Sequence, residues 1–109
     1  MDRSQFTQTV RRMGYESGMV NRLLGQVGFS SQESQYFAAR SQEAPKEVMH
    51  KISATMKARG TENKSLLGKV RRCVNNINKL VKKYRKGKRS LDRQGVDTKA
   101  IEKKALATA

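Results

Sequence analysis

Tryptophan is absent from this 109-residue chain, and cysteine, histidine and proline occur once each. A lone Cys73 cannot close a disulfide within the chain. Cys73 and the single His50 cannot assemble a four-ligand zinc site of the usual His/Cys kind. No metal and no cofactor are implied. No apolar run approaches the ~20 residues that cross a bilayer. The N-terminus carries no apolar signal core behind its first charges. These absences fit an intracellular, reducing setting: cytoplasm, nucleoid or the inside of a virion. Host, plasmid and viral origins fit equally. Only 36% of residues are hydrophobic and 6% aromatic, so a chain this short has a thin core. A thin core suits an oligomer in which a second copy covers the apolar face.

Acidic residues are the other shortage. Asp+Glu number 9 against 24 Lys+Arg, a formal charge of +15. A surplus of that size repels itself and calls for an anionic partner. Nucleic acid is the first candidate, an anionic membrane surface the second, and a merely solubilising surface the third. Residues 1–60 hold nine basic and five acidic side chains, whereas residues 61–109 hold fifteen and four. The partner is therefore expected mainly on the second half. Catalysis has no foothold: there is no cluster of paired carboxylates and no phosphate-cradling glycine loop. His50 lies beside Lys46 and Lys51, a setting for a surface residue rather than a general base. We expect no enzyme.

What is present is helical periodicity, without a sustained alternation of β-branched residues. Phe6, Val10 and Met13 share one face of a first segment, Ser4 to Met13, which Gly14 is expected to interrupt. Ser17 can cap a second short helix bearing Met19, Val20, Leu23, Leu24 and Val27. Ser30 and Glu33 have capping-box spacing, opening a helix with Tyr36 and Phe37 inward. Met19–Val27, a Gly/Ser turn and Gln32–Arg40 thus have helix-turn-helix proportions. Pro45 suits a first helical position, the stripe Val48, Met49, Ile52, Met56 follows, and Gly60 is a natural stop.

Thr61 opens the most regular stretch. Leu66, Val70, Cys73, Ile77, Leu80 and Tyr84 follow one another at intervals of four and three, a heptad seam. Leu67, Val74 and Val81 widen it by a column. The seam serves either a core helix of one chain or a parallel dimer. Gly87 is expected to break this helix within Arg85–Arg89. Asp97 can cap a short helix from Thr98 to Leu106, expected to be loosely docked or disordered because only Ile101 and Leu106 are large and apolar. The expected fold is all-α: a small helical bundle with a long basic amphipathic helix and a loosely ordered tail. The three regions are short helices at 1–60, the basic helix at 61–89 and a basic tail at 90–109.

The face opposite the seam carries Lys64, Lys69, Arg71, Arg72, Lys79, Lys82, Lys83, Arg85 and Lys86, with Lys88 and Arg89 just beyond Gly87. A helix of ~25 residues is about 37 Å long, close to one turn of duplex DNA at roughly 34–36 Å. Such a row can neutralise phosphates and release counterions. A membrane-surface helix would also be apolar on one side and cationic on the other, yet the apolar side here has no Trp or Phe. Asn75, Asn76 and Asn78 stand in mid-helix, where each costs on the order of 0.5 kcal/mol relative to Ala. Something should offset that cost: bases or phosphates read by the amides, hydrogen bonds between helices, or simple solvation on a polar face.

The run Leu66–Lys83, with Asn75, Asn76, Ile77, Asn78, Leu80 and Lys82, resembles the C-terminal signature of MobC-type plasmid mobilisation proteins. Val74, Lys79 and Val81 stand where that pattern has Gly, Gln and Ala, and no N-terminal ribbon-helix-helix is evident. The resemblance covers about a sixth of the chain. It implies a relaxosome accessory that binds DNA near a transfer origin, and so favours DNA over RNA. The expected function is nucleic-acid binding by a helical homodimer whose seam helix turns its cations to phosphates. The alternatives are a viral or phage RNA-binding protein, or an assembly protein that neutralises packaged genome in a larger nucleoprotein particle.

Overall fold

Each helix begins where a side chain or a proline can serve the orphan N–H groups of a first turn. The computed structural model describes residues 1–107. They form α1 (Arg3–Gly25), α2 (Ser31–Arg40), α3 (Pro45–Arg59), α4 (Lys64–Arg93) and α5 (Thr98–Ala107), with no strand among the described residues. Asp2 and Gln5 cap α1 reciprocally, and Ser30 and Glu33 do the same for α2. Pro45 starts α3, and Gly60 ends it in the left-handed region at φ 69°. The Asn63 side chain accepts from the Leu66 N–H at 3.0 Å to open α4, and Asp97 accepts from the Ala100 N–H at 3.2 Å to open α5.

Three expectations about helix ends are corrected. Gly14 does not interrupt the first helix: α1 runs unbroken through Gly14 and Gly18. Each glycine costs about 1 kcal/mol relative to Ala. Phe6 and Val10 before them and Val20, Leu23 and Leu24 after them are all buried. Each such side chain contributes roughly 1.5–3 kcal/mol on burial, so packing outweighs propensity. Gly87 does not end the long helix either, since α4 continues to Arg93. A Cβ at Gly87 would collide with the Met1 sulfur and come within 3.2 Å of the Phe6 ring. The glycine marks a close approach of α1 to α4, not a break. The tail, finally, is docked. Ala105 is fully buried, and Ile101 and Val96 join Phe6, Val10 and Leu91 in a small core.

A correction also applies to Tyr36. Phe37 packs inward with Phe29, but Tyr36 is 52% exposed.

α1 lies along α4 and makes the most extensive contact among the described residues, with α3 packed on α4, α2 packed on α1 beside α3, and α5 closing against α1. The larger core joins Val20, Leu24, Phe29, Val48, Ile52 and Met56 to Leu66, Val70, Val74 and Ile77. The seam is therefore filled by helices of the same chain, and Leu66, Val70, Cys73, Ile77 and Leu80 are all buried there. Both cores draw on α1 and α4, so residues 1–60 and 61–89 and the described part of the tail, 90–107, share packing; residues 108–109 lie outside the described residues. At 30 residues, α4 is about 45 Å long and sets the long dimension of a 51 × 24 × 20 Å body. The radius of gyration, 15.3 Å, exceeds the ~13 Å of a compact chain near this length.

Candidate nucleic-acid interface

With one side of α4 committed to the core, its other side is left to water. Lys64, Lys69, Arg71, Arg72, Lys79, Lys82, Lys83, Arg85, Lys86 and Arg89 are all exposed. Arg93 is exposed as well. The sequence reading omitted it because the helix was expected to stop at Arg89. Asp92 is the only acid within α4, and its carboxylate is occupied by the Thr98 hydroxyl at 2.8 Å. Lys88 stands apart from the row. Its ammonium donates to Thr98 Oγ1 at 3.0 Å and lies 3.9 Å from Glu102, so it clasps α5 to α4. Near the C-terminal end of α4, Lys86, Arg89, Ser90 and Arg93 surround one open depression with Gln94. Three cations, a hydroxyl and an amide thus line it, the donor types that make charge-assisted bonds to phosphate.

The acids explain why the cations are so unevenly available. Glu33 meets Arg59 at 2.7 Å, Glu43 and Glu47 both meet Arg40, and Glu47 also meets Lys51 at 3.0 Å. The Arg59 guanidinium and the Ser30 N–H hold the Glu33 carboxyl down at about 2. Glu47 is likewise lowered, first by the Lys51 ammonium. Three of the five acids of residues 1–60 thus neutralise cations around α2 and α3. Among the described residues of α4 only Arg85 and Lys88 have such partners, Glu43 at a loose 3.8 Å and Glu102 at 3.9 Å. The helix-turn-helix proportions of α1 and α2 do not make α2 a basic surface, because Arg40 is its sole cation.

The three asparagines separate. Asn76 Nδ2 donates to Glu16 Oε1 at 3.3 Å across to α1. Asn78 Nδ2 donates to the Gln42 carbonyl at 3.2 Å in the link between α2 and α3. These two amides offset their poor helix propensity with bonds between elements. Asn75 alone is exposed, with Arg71, Arg72 and Lys79 one turn away on the same side. Cys73 lies within the core, and burial with the neighbouring Glu16 pushes its thiol up to about 11. His50 is exposed on α3.

The cationic surface also crosses onto α1. Arg12 and Lys83 face one groove between α1 and α4, with Gln5, Gln8 and Thr9 along its wall. Sequence reasoning missed Arg12 because it weighed charge by halves of the chain. The adjacent pair Arg11-Arg12 was the available signal. No group of metal-ligating side chains occurs among the described residues, and no helix among them is long and apolar enough to cross a membrane. Comparison of the chain with protein-family models, curated proteins and solved structures gives no match.

Proposed function

We propose that this chain is a non-catalytic nucleic-acid-binding accessory protein that lays the outward side of α4 along a phosphate backbone. The observation that carries the reading is the exposed, nearly acid-free cationic row of a 30-residue helix. Its length of about 45 Å exceeds one turn of duplex, roughly 34–36 Å, so the row can meet phosphates over a full turn. Lys64, Lys69, Arg71, Arg72, Lys79, Lys82, Lys83, Lys86, Arg89 and Arg93 are the proposed contacts, with Arg85 shared with Glu43.

DNA is favoured over RNA through the resemblance to MobC-type mobilisation proteins. Of the asparagines in that motif, Asn75 is the one left outward to meet a base edge, since Asn76 and Asn78 are engaged within the fold. Homodimerisation would need a surface other than the seam, whose apolar side chains are buried inside one chain. Competition of the full chain between duplex DNA, duplex RNA and single strands of matched length tests the reading. Nucleic acid of each kind should displace a bound labelled duplex, with duplex DNA the strongest duplex competitor. Stronger displacement by duplex RNA would reverse the DNA preference, and no displacement by any of them would overturn the function.

A further inference from the structure

Two observations remain outside the α4 row. Tyr15 is 64% exposed and Leu106 54%, the two most exposed large apolar side chains in the described structure. They line the same groove, between α1 and α5, and Arg11 and Arg12 line it with them. An aromatic face that stays in water gains nothing for the fold, whereas Tyr84 is stacked on Phe6 inside the core. The groove holds about 510 Å³, within the ~300–1,000 Å³ of clefts that take small planar ligands. Gly14, which adds no side chain, also lines the groove.

Arg12 is the link. It lines this groove and also the one between α1 and α4 that Lys83 faces. The cationic surface is therefore continuous from the α4 row, over Lys83 and Arg12, to the ring of Tyr15. A flat aromatic face with guanidinium groups on its rim complements a ligand that is planar and anionic at once. Duplex keeps its bases stacked on one another, so a ring on the protein surface can engage only a base that is unpaired. Single strands offer both parts at the spacing of one nucleotide, and base–aromatic stacking on a basic groove is how such strands are held without sequence preference.

We propose that the Tyr15–Leu106 groove is a stacking site for an unpaired base, and that the strand carrying it continues over Arg12 and Lys83 onto α4. This rests on the nucleic-acid reading and adds to it a preference for substrates with a single-stranded segment. A duplex that is opened or tailed at one end would then be bound better than a blunt duplex of equal charge.

The absence of tryptophan supplies a direct reporter. In the full chain, Tyr15→Trp places the sole indole at the site. Titration with an oligothymidylate of about 12 nucleotides, within the usual site sizes, should quench its emission. Quenching and fluorescence anisotropy of the labelled strand should give one Kd. Tyr15→Ala should weaken single-strand binding by about tenfold, in the range reported for loss of one base stack. Tyr15→Phe should retain it, and blunt-duplex affinity should move less than twofold in all three variants. Binding seen by anisotropy with no change in indole emission would overturn the stacking site while leaving the α4 reading intact. Emission that shifts on raising protein concentration alone would mean that a second copy covers the groove, which also overturns it. A wild-type chain that binds the blunt duplex but not the labelled strand would overturn the stacking site alone, and one that binds neither would overturn both readings.

Discussion

Replacing each asparagine of α4 by alanine, one at a time, separates the roles that geometry gives them. Asn→Ala gains about 0.5 kcal/mol of helix propensity at any interior position. At Asn75, which is exposed, that gain stands nearly alone. Asn75→Ala should raise Tm by about 2–4 °C, at the ~4–8 °C per kcal/mol of domains near this size. At Asn76 the same gain is set against the bond to Glu16 at 3.3 Å. Glu16 is only 8% exposed, and a hydrogen bond to a charged group contributes roughly 1.5–3 kcal/mol. The net loss is about 1–2.5 kcal/mol, so Tm should fall by about 4–20 °C. Asn76→Asp, nearly the same shape but carboxylate against carboxylate, should fall further. Asn78→Ala loses a neutral bond to the Gln42 carbonyl, worth about 0.5–1.5 kcal/mol, and should sit between the other two. Thermal melts followed by circular dichroism, with urea melts for the free energies, read all four variants. On the binding side, Asn75→Ala should weaken a preferred sequence by roughly 1–3 kcal/mol without altering the salt slope, since an amide releases no counterions. An Asn76→Ala chain as stable as wild type, or an Asn75→Ala chain as damaged as Asn76→Ala, would refute the assignment.

Two further predictions concern titrating groups. Cys73 should resist a thiol reagent in the native chain and react promptly in denaturant. Its thiol is raised from an ordinary value of 9.0 to about 11, chiefly by burial, so the unfolded chain ionises first as pH rises. Stability should accordingly hold below about 9 and decline between 9 and about 11, and Cys73→Ala should remove that part of the decline. Rapid native labelling would contradict the packing. Glu33 runs the other way: its carboxyl is lowered from 4.5 to about 2, first by the Arg59 hydrogen bond. Its contribution is complete above about 4.5 and is lost as pH falls toward 2. Glu33→Gln should therefore lower stability at neutral pH and flatten the acid limb of the unfolding profile. An acid limb identical to wild type would show that the Arg59 clamp adds nothing.

The legible parts of this fold were those decided locally. Ser30 with Glu33 and Asp97 mark helix ends through bonds to near neighbours, Pro45 and Gly60 through their own backbone geometry, and each does so in the structure. The seam of α4 was legible because its period is intrinsic to the helix. The misreadings at Gly14, Gly87 and the tail share one cause, which is that their outcome depends on residues far away in sequence. Gly14 is carried by packing of α1 on α4, Gly87 sits where Met1 and Phe6 approach closely, and Ala105 is buried in the core that α5 shares with α1. The same limit applies to the site. Exposed cations follow from the helical period, so most of the row could be named beforehand. Which asparagine faces out depends on where Glu16 and Gln42 arrive, and Arg12 enters only because α1 lies beside Lys83. Lys88 shows the converse, a cation in the basic run that α5 withdraws.

The central claim, that the outward side of α4 meets a phosphate backbone, is tested most directly by the salt dependence of duplex DNA binding. The comparison is between the wild-type chain and one carrying Arg71→Glu, Arg72→Glu, Lys79→Glu and Lys82→Glu together. These four side chains are exposed, so the variant should keep its helical circular dichroism. If six or more phosphates are met, wild-type affinity should drop by ~10³-fold or more between about 50 and 200 mM salt. The variant should bind far more weakly and with a shallower slope. A flat salt response of the wild-type chain, or a folded variant that binds as tightly as wild type, would contradict the account.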